Sequence, residues 1–288
     1  MIKSDFVTGK ISLDYAPPPE DLRAHLSIFY EFKADTPLWQ DTDKADLAQF
    51  RVNLAGQGEY RFVDGHVQSA PEIHIVGPTT GPTDLRVIGP VHTFGVGLLP
   101  AGWSGLLDFE ASLLLNRVID ATDLFGEDLR GGADAVRAAT TLDEKVAIGS
   151  ALARLLIGRG KSAAFDFTRI VDNWLESSPS PQVDDLVTAT GLSRRQVERR
   201  CNAYYGSAPK MLARKYRALK ATIALARGQT NAQAQEDGGF YDQSHFIREI
   251  KAFTGTTPTR IQENMPRLAS LTLKRAEFKE LSSLVTKR

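Results

Sequence analysis

The sequence predicts an α+β protein. A β-rich, barrel-like N-terminal domain with a helical end should occupy residues 1–160, and an all-α domain with two helix-turn-helix units residues 161–288. Three observations predict this. Apolar residues alternate with a period of two in short runs up to about residue 100 and fall at helical spacing after it. Charge divides along a similar line: residues 1–164 hold 15 Lys and Arg against 22 Asp and Glu, and residues 165–288 hold 20 against 13. The two parts therefore carry −7 and +7 within a neutral 288-residue chain, as expected when one part meets a polyanion and the other does not. Finally, a pattern in the basic part recurs at an offset of 49 residues.

The elements follow in order. Residues 25–33, 49–54, 60–62, 72–76, 85–88 and 94–99 read as strands, with Phe50, Val52 and Leu54 on one side of the second. Gly56 to Gly58, Gly65, Gly77-Pro78, Gly81-Pro82, Gly89-Pro90 and Pro100 punctuate them as turns. Short helices and turns are expected over 103–130 and a helix over 142–156, where Val146, Leu152, Leu155 and Leu156 can be buried. The run Ile157-Gly-Arg-Gly-Lys-Ser162 reads as the hinge between domains. Phe167, Ile170, Val171, Trp174 and Leu175 then form a helical stripe, stopped by the prolines at 179 and 181.

The repeat has a mechanical sense. Ser193 matches Asp242, and both can cap a helix start by accepting a backbone N–H. Val197, Cys201 and Tyr204 match Phe246, Ile250 and Phe253 at i, i+4 and i+7, one buried stripe in each copy. Gly206 and Pro209 match Gly255 and Pro258, and Arg199 matches Arg248. Upstream of each copy lies a short helix and a glycine turn: 183–190 then Gly191, and 231–238 then Gly239. Helix, tight turn, helix is the layout of a helix-turn-helix, whose second helix enters the major groove by its N-terminal residues. Arg195, Arg199, Gln243, Ser244 and Arg248 lie off the buried stripes; Arg can read guanine and Gln adenine. Leu212, Tyr216, Leu219 and Ile223 predict one connecting helix, started near Pro209, that holds the units about one DNA turn apart.

These blocks resemble the AraC family of bacterial transcription factors. Gly191-Leu-Ser-Arg-Arg-Gln-Val-Glu-Arg-Arg200 is similar to the family's first recognition helix, and Gly239-Phe-Tyr-Asp-Gln-Ser-His-Phe-Ile-Arg248 to the second, with Thr254-Gly-Thr-Thr-Pro258 closing it. The resemblance spans about residues 166–265 and implies seven helices. It implies DNA contacts from Arg194, Arg195, Gln196 and Arg199 in one groove and from Gln243, Ser244 and Arg248 in the next. Two departures stand out. Cys201 replaces a usual buried Phe, and Asn231, Ala234 and Gly238 replace apolar residues, so the helix propping the second unit has little to bury. A weaker or more mobile second unit is expected. More loosely, Val76-Gly-Pro-Thr79, Gly95-Val-Gly-Leu-Leu-Pro-Ala-Gly102 and Asp123-Leu-Phe-Gly126 resemble an N-terminal region found ahead of such domains, which implies a sensing or dimerising role.

The N-terminal half shows no catalytic pattern. His25, His66, His74 and His92 lack the close spacing of a metal site, and Gly158-Arg-Gly-Lys-Ser162 lacks that of a phosphate loop. The single cysteine, Cys201, excludes an internal disulfide framework and a cysteine-rich zinc site. No metal or cofactor is expected. The aromatics Phe29, Tyr30, Phe32, Trp39, Phe50, Tyr60, Phe62, Phe94 and Trp103 can form a core or line a pocket. Met1 to Thr8 is no apolar signal and no run reaches ~18 uncharged apolar residues, so a cytoplasmic, membrane-free setting is expected. The expected partners are double-stranded DNA, a small-molecule effector, RNA polymerase and a second copy of the chain. The rival readings are a small-molecule-binding or enzymatic N-terminal module with a vestigial DNA-binding tail, and a protein whose main partner is another regulator. Leu268, Leu271, Phe278, Leu281 and Leu284 read as one further helix.

Overall fold

The computed structural model describes residues 11–126, 128–157 and 164–264. All of the expected hinge Ile157–Ser162 except Ile157, with the proposed boundary at 160, and the last expected helix lie outside these residues.

Among the described residues the first half is built on eight antiparallel strands: β1 (Ile11–Ala16), β2 (Leu26–Ala34), β3 (Leu38–Asp43), β4 (Ala48–Arg61), β5 (Val67–Ser69), β6 (Ile73–Val76), β7 (Thr83–Leu98) and β8 (Val118–Asp120). They form one open sheet in the order β1-β2-β7-β4-β6-β8, with β3 also on β7 and β5 also on β4. Two long strands make it curl. The first part of β7 pairs with β3 and its second part with β2, while β4 follows β7 along nearly its whole length.

Two expected turns are instead bends within strands. β4 runs through Gly56 and β7 through Gly89-Pro90. The register of the β4–β7 pair shifts between Asn53 and Gln57, and both glycines have positive φ, 86° and 88°. The two irregularities face each other: a Cβ on Gly56 would lie 2.8 Å from the Pro90 carbonyl oxygen. Facing bulges bend both strands together, so the ladder continues where the local signal reads as a reversal. β1, β3, β5 and β8 were not expected from the sequence.

Four helices follow: α1 (Pro100–Leu106), α2 (Ala121–Phe125), α3 (Asp128–Ala138) and α4 (Leu142–Leu156). They cover one sheet face, where Phe29, Val52, Phe94 and Trp103 are buried with Leu129 and Leu156. Thr141 starts α4 with a reciprocal cap to Glu144. The inner face of the curl holds a second cluster, Phe32, Trp39 and Val91. The expected aromatics thus divide between core and pocket: Tyr30, Phe32, Trp39 and Tyr60 line a cavity on this inner face.

The second half is helical: α5 (Phe165–Ser177), α6 (Val183–Thr190), α7 (Arg194–Tyr205), α8 (Pro209–Ala226), α9 (Asn231–Asp237), α10 (Gln243–Thr254) and α11 (Pro258–Asn264). Phe167, Val171, Trp174, Leu186, Val197 and Cys201 form one core. Phe240, Phe246, Ile250 and Phe253 form another with Ala218 and Leu225 of α8.

Candidate nucleic-acid interface

Each recognition helix starts at a side-chain cap. Ser193 Oγ accepts the Gln196 amide, and Gln196 Oε1 accepts the Ser193 amide at 2.9 Å in return. Asp242 Oδ1 accepts the His245 amide at 2.6 Å. Each helix ends at a left-handed glycine, Gly206 (φ 76°) and Gly255 (φ 75°). Between these stops Val197 and Cys201, and Phe246, Ile250 and Phe253, are buried as the stripes require. Burial pushes the Cys201 thiol up to about 12, so it packs as an apolar group.

The first unit is α6, the Gly191 turn (φ 65°) and α7; the second is α9, Gly239 (φ 62°) and α10. The connecting helix α8 has 18 residues, a span of ~27 Å at ~1.5 Å per residue, of the order of one DNA turn. It holds both units by polar contacts. Lys220 Nζ donates to the Leu175 carbonyl on α5 at 2.7 Å. Arg214 and Arg217 meet the buried Glu249 of α10, at 2.7 and 3.4 Å. Burial alone would raise the Glu249 pKa; the two guanidiniums hold it below the usual carboxylate value.

Of the sequence-predicted contact residues, Arg195 and Arg199, and Gln243, Ser244 and Arg248, are exposed on the two helices. Arg194 is exposed and ion-pairs back to Asp184 of α6, which orients it along the first unit. Gln196 spends its carbonyl oxygen on the cap, keeping its NH2 group. Arg199 and Arg200 border a cleft with Trp103, Asp108, Phe109 and Glu110 of the first half. The C-terminal part of α7 therefore looks toward that half as well as toward solvent. Tyr241, 92% exposed just before the second recognition helix, was not singled out from the sequence.

The shortened helix α9 buries only Ala234 of its own side chains. The space beside Gly238 is taken by Phe240: a Cβ on Gly238 would lie 2.4 Å from that ring. Phe240 stacks edge-on against Phe246, and Arg217 lies 5.0 Å over its face.

The two halves touch through the loop between β3 and β4. The Ala45 amide donates to the Phe253 carbonyl at 2.7 Å, and Ala45 is fully buried in the second unit's core. Lys215 Nζ of α8 is buried between the carbonyls of Asp46 (3.3 Å) and Thr79 (3.4 Å). Burial lowers its pKa to about 8. No pattern in the chain marks this contact in advance. Among the described residues no group of three or more His, Cys, Asp or Glu could hold a metal, and no helix is long and apolar enough to cross a membrane.

Residues 186–264 match the protein family described as "Helix-turn-helix domain". No curated protein matches the chain. Among solved structures, ToxT from Vibrio cholerae is similar at 8% identity over 93% of this chain and 98% of that one, with a TM-score of 0.47. An unsaturated-fatty-acid-bound ToxT from Vibrio cholerae strain SCE256 is similar at 9% identity over 91% and 98%, with a TM-score of 0.48. The AraC-like transcriptional activator CuxR is similar at 14% identity over 73% and 86%, with a TM-score of 0.30.

Proposed function

From a C-terminal helix-turn-helix domain of the AraC type, we propose that this chain is a sequence-specific DNA-binding transcriptional regulator whose two recognition helices enter successive major grooves. The observation that carries this reading is the pair of capped helices, α7 and α10, each presenting polar side chains from its exposed face and joined by a helix of one-turn length.

Arg195 and Arg199 are assigned to base edges or phosphates in one groove, and Gln243, Ser244 and Arg248 in the next. Arg194, tied to Asp184, suits a phosphate contact that positions the unit. The Gln196 amide group can donate to DNA while its oxygen keeps the cap closed. The first half is assigned to sensing, with a small-molecule effector as its ligand; homodimerisation and contact with RNA polymerase complete the reading. The chain acts as a regulator and not as an enzyme. Residues 1–160 and 161–288 serve as the two functional parts.

The test is hydroxyl-radical footprinting of the full chain on a fragment it binds. Two protected backbone segments about one turn apart, flanking successive major grooves on one face of the duplex, are expected. A single protected segment, unchanged by Gln243→Ala with Arg248→Ala, would reduce the reading to one active unit.

A further inference from the structure

The cavity on the inner face of the curled sheet measures about 70 Å³, room for roughly six non-hydrogen atoms at the ~10–15 Å³ that a single water needs. Leu13, Phe32, Leu85, Val87 and Val91 supply apolar walls. The polar side chains among them bond to one another. Tyr30 donates to Gln49 Oε1 at 2.6 Å and Thr93 to Asn53 Oδ1 at 3.0 Å. Arg51 donates to Gln49 Oε1 at 2.7 Å and to Tyr60 Oη at 2.9 Å. Burial would lower the Arg51 pKa; the Tyr30 and Tyr60 hydroxyls and the Asp43 carboxylate outweigh it and keep the guanidinium charged. Trp39 is the exception. The chain has three tryptophans. Trp103 Nε1 donates to the Phe109 carbonyl at 2.9 Å and Trp174 Nε1 to the Gln182 carbonyl at 2.7 Å. Trp39 lines the cavity, is 3% exposed, and its Nε1 has no partner among the described residues. A buried N–H normally has an acceptor.

We propose that this cavity is an effector site for a small neutral organic molecule with a compact apolar body and one carbonyl oxygen, which accepts from Trp39 Nε1. The inference rests on the reading of the first half as the sensing part. An anion would meet the carboxylates of Asp43 and Glu59, which line the same cavity. An ammonium group has donors only and offers the indole no lone pair. Enclosing either charge among these apolar walls is costly, which leaves the neutral class.

The site has a direct line to the DNA-binding half. Trp39 stands on β3, which ends at Asp43. The residues that follow carry the contact between the halves: the Ala45 amide donates to the Phe253 carbonyl of α10, and the Asp46 carbonyl accepts from Lys215 of α8. A ligand that draws the Trp39 indole toward itself shifts β3 and, with it, the 45–46 loop against the second helix-turn-helix unit.

Calorimetric titration of the full chain, with the tryptophan indole N–H groups followed by NMR, tests this. The probes are cyclopentanone, methylenecyclopentane of the same shape without the oxygen, cyclopentylammonium and cyclopentanecarboxylate. The ketone should bind several-fold more tightly than the alkene and about tenfold or more tightly than either ion. It should move the Trp39 indole resonance and leave those of Trp103 and Trp174 in place. Trp39→Phe, which keeps the wall and removes the donor, should bring ketone and alkene to equal affinity; if that variant does not fold, the spectrum of the unaltered chain carries the test. Ketone binding should also change hydrogen exchange at the Ala45 amide, and unchanged exchange there would overturn the link to the second unit. Equal affinity for ketone and alkene, with the Trp39 resonance unmoved, would overturn the acceptor. Tighter binding of either ion would overturn the neutral class, and no binding of any probe would overturn the site. A sensing role elsewhere in the first half survives each of these failures, and DNA binding is measured separately.

Discussion

Ser193 and Asp242 hold equivalent places in the two copies of the repeat, and each accepts the amide three residues on. Replacing either by Ala should cost ~1 kcal/mol in urea unfolding, and a loss in DNA affinity should follow from fraying of the helix start. Reading side chains should behave differently. Arg199→Ala or Arg248→Ala should leave unfolding unchanged and weaken binding by ~1–3 kcal/mol where the side chain meets a base. Arg194→Ala should weaken binding on all sequences alike. His74 gives a test of pH dependence. Burial, with Arg51 beside it, lowers its pKa to about 3 from an ordinary 6.5. Between these values the unfolded chain takes up a proton that the folded one refuses, so stability falls as pH drops from 6.5 toward 3. His74→Gln should flatten that part of the stability–pH curve; an unchanged slope would show that the ring is hydrated in the fold.

At the scale of elements, helices were legible and strand ends were not. The helices at 142–156 and 183–190 match expectation because period, caps and Gly191 all act locally. The expected breaks at Gly56 and Gly89 fail because a glycine that permits a turn also permits a bulge, and only the partner strand decides between them. β8 is three residues long, too short to show a period. The exposed faces of α7 and α10 could be read from the chain, since a helical stripe fixes its opposite face. The loan of Ala45 to the second core could not, because no local pattern marks a residue buried by a distant helix. For α9 two effects compete: it buries little itself, yet Phe240 and the Arg214–Arg217–Glu249 cluster brace its neighbours. Amide exchange should be faster over 231–237 than over 183–190, with 243–254 remaining slow. Equally slow exchange over 231–237 would show that Phe240 makes up the whole deficit.

At the scale of the molecule, the charge split places net +7 in the half that carries both recognition helices. Binding should therefore weaken steeply with salt through counterion release. The acidic half does not stand apart: Lys215 and Ala45 tie it to α8 and α10, and Arg199 borders a cleft containing Asp108 and Glu110. Lys215→Met removes the donor from two carbonyls. It should lower stability by ~1–3 kcal/mol and speed exchange at the Ala45 amide. An unchanged Ala45 amide would mean that the halves are held elsewhere.

The most direct test of DNA reading is fluorescence anisotropy of the full chain on fragments of its own genome, beginning upstream of its own gene, at several salt concentrations. Tight binding to a few fragments, with a steep salt slope and loss in the Arg199→Ala, Arg248→Ala double variant, is the predicted result. Weak binding that is equal on all fragments and indifferent to that double variant would contradict it.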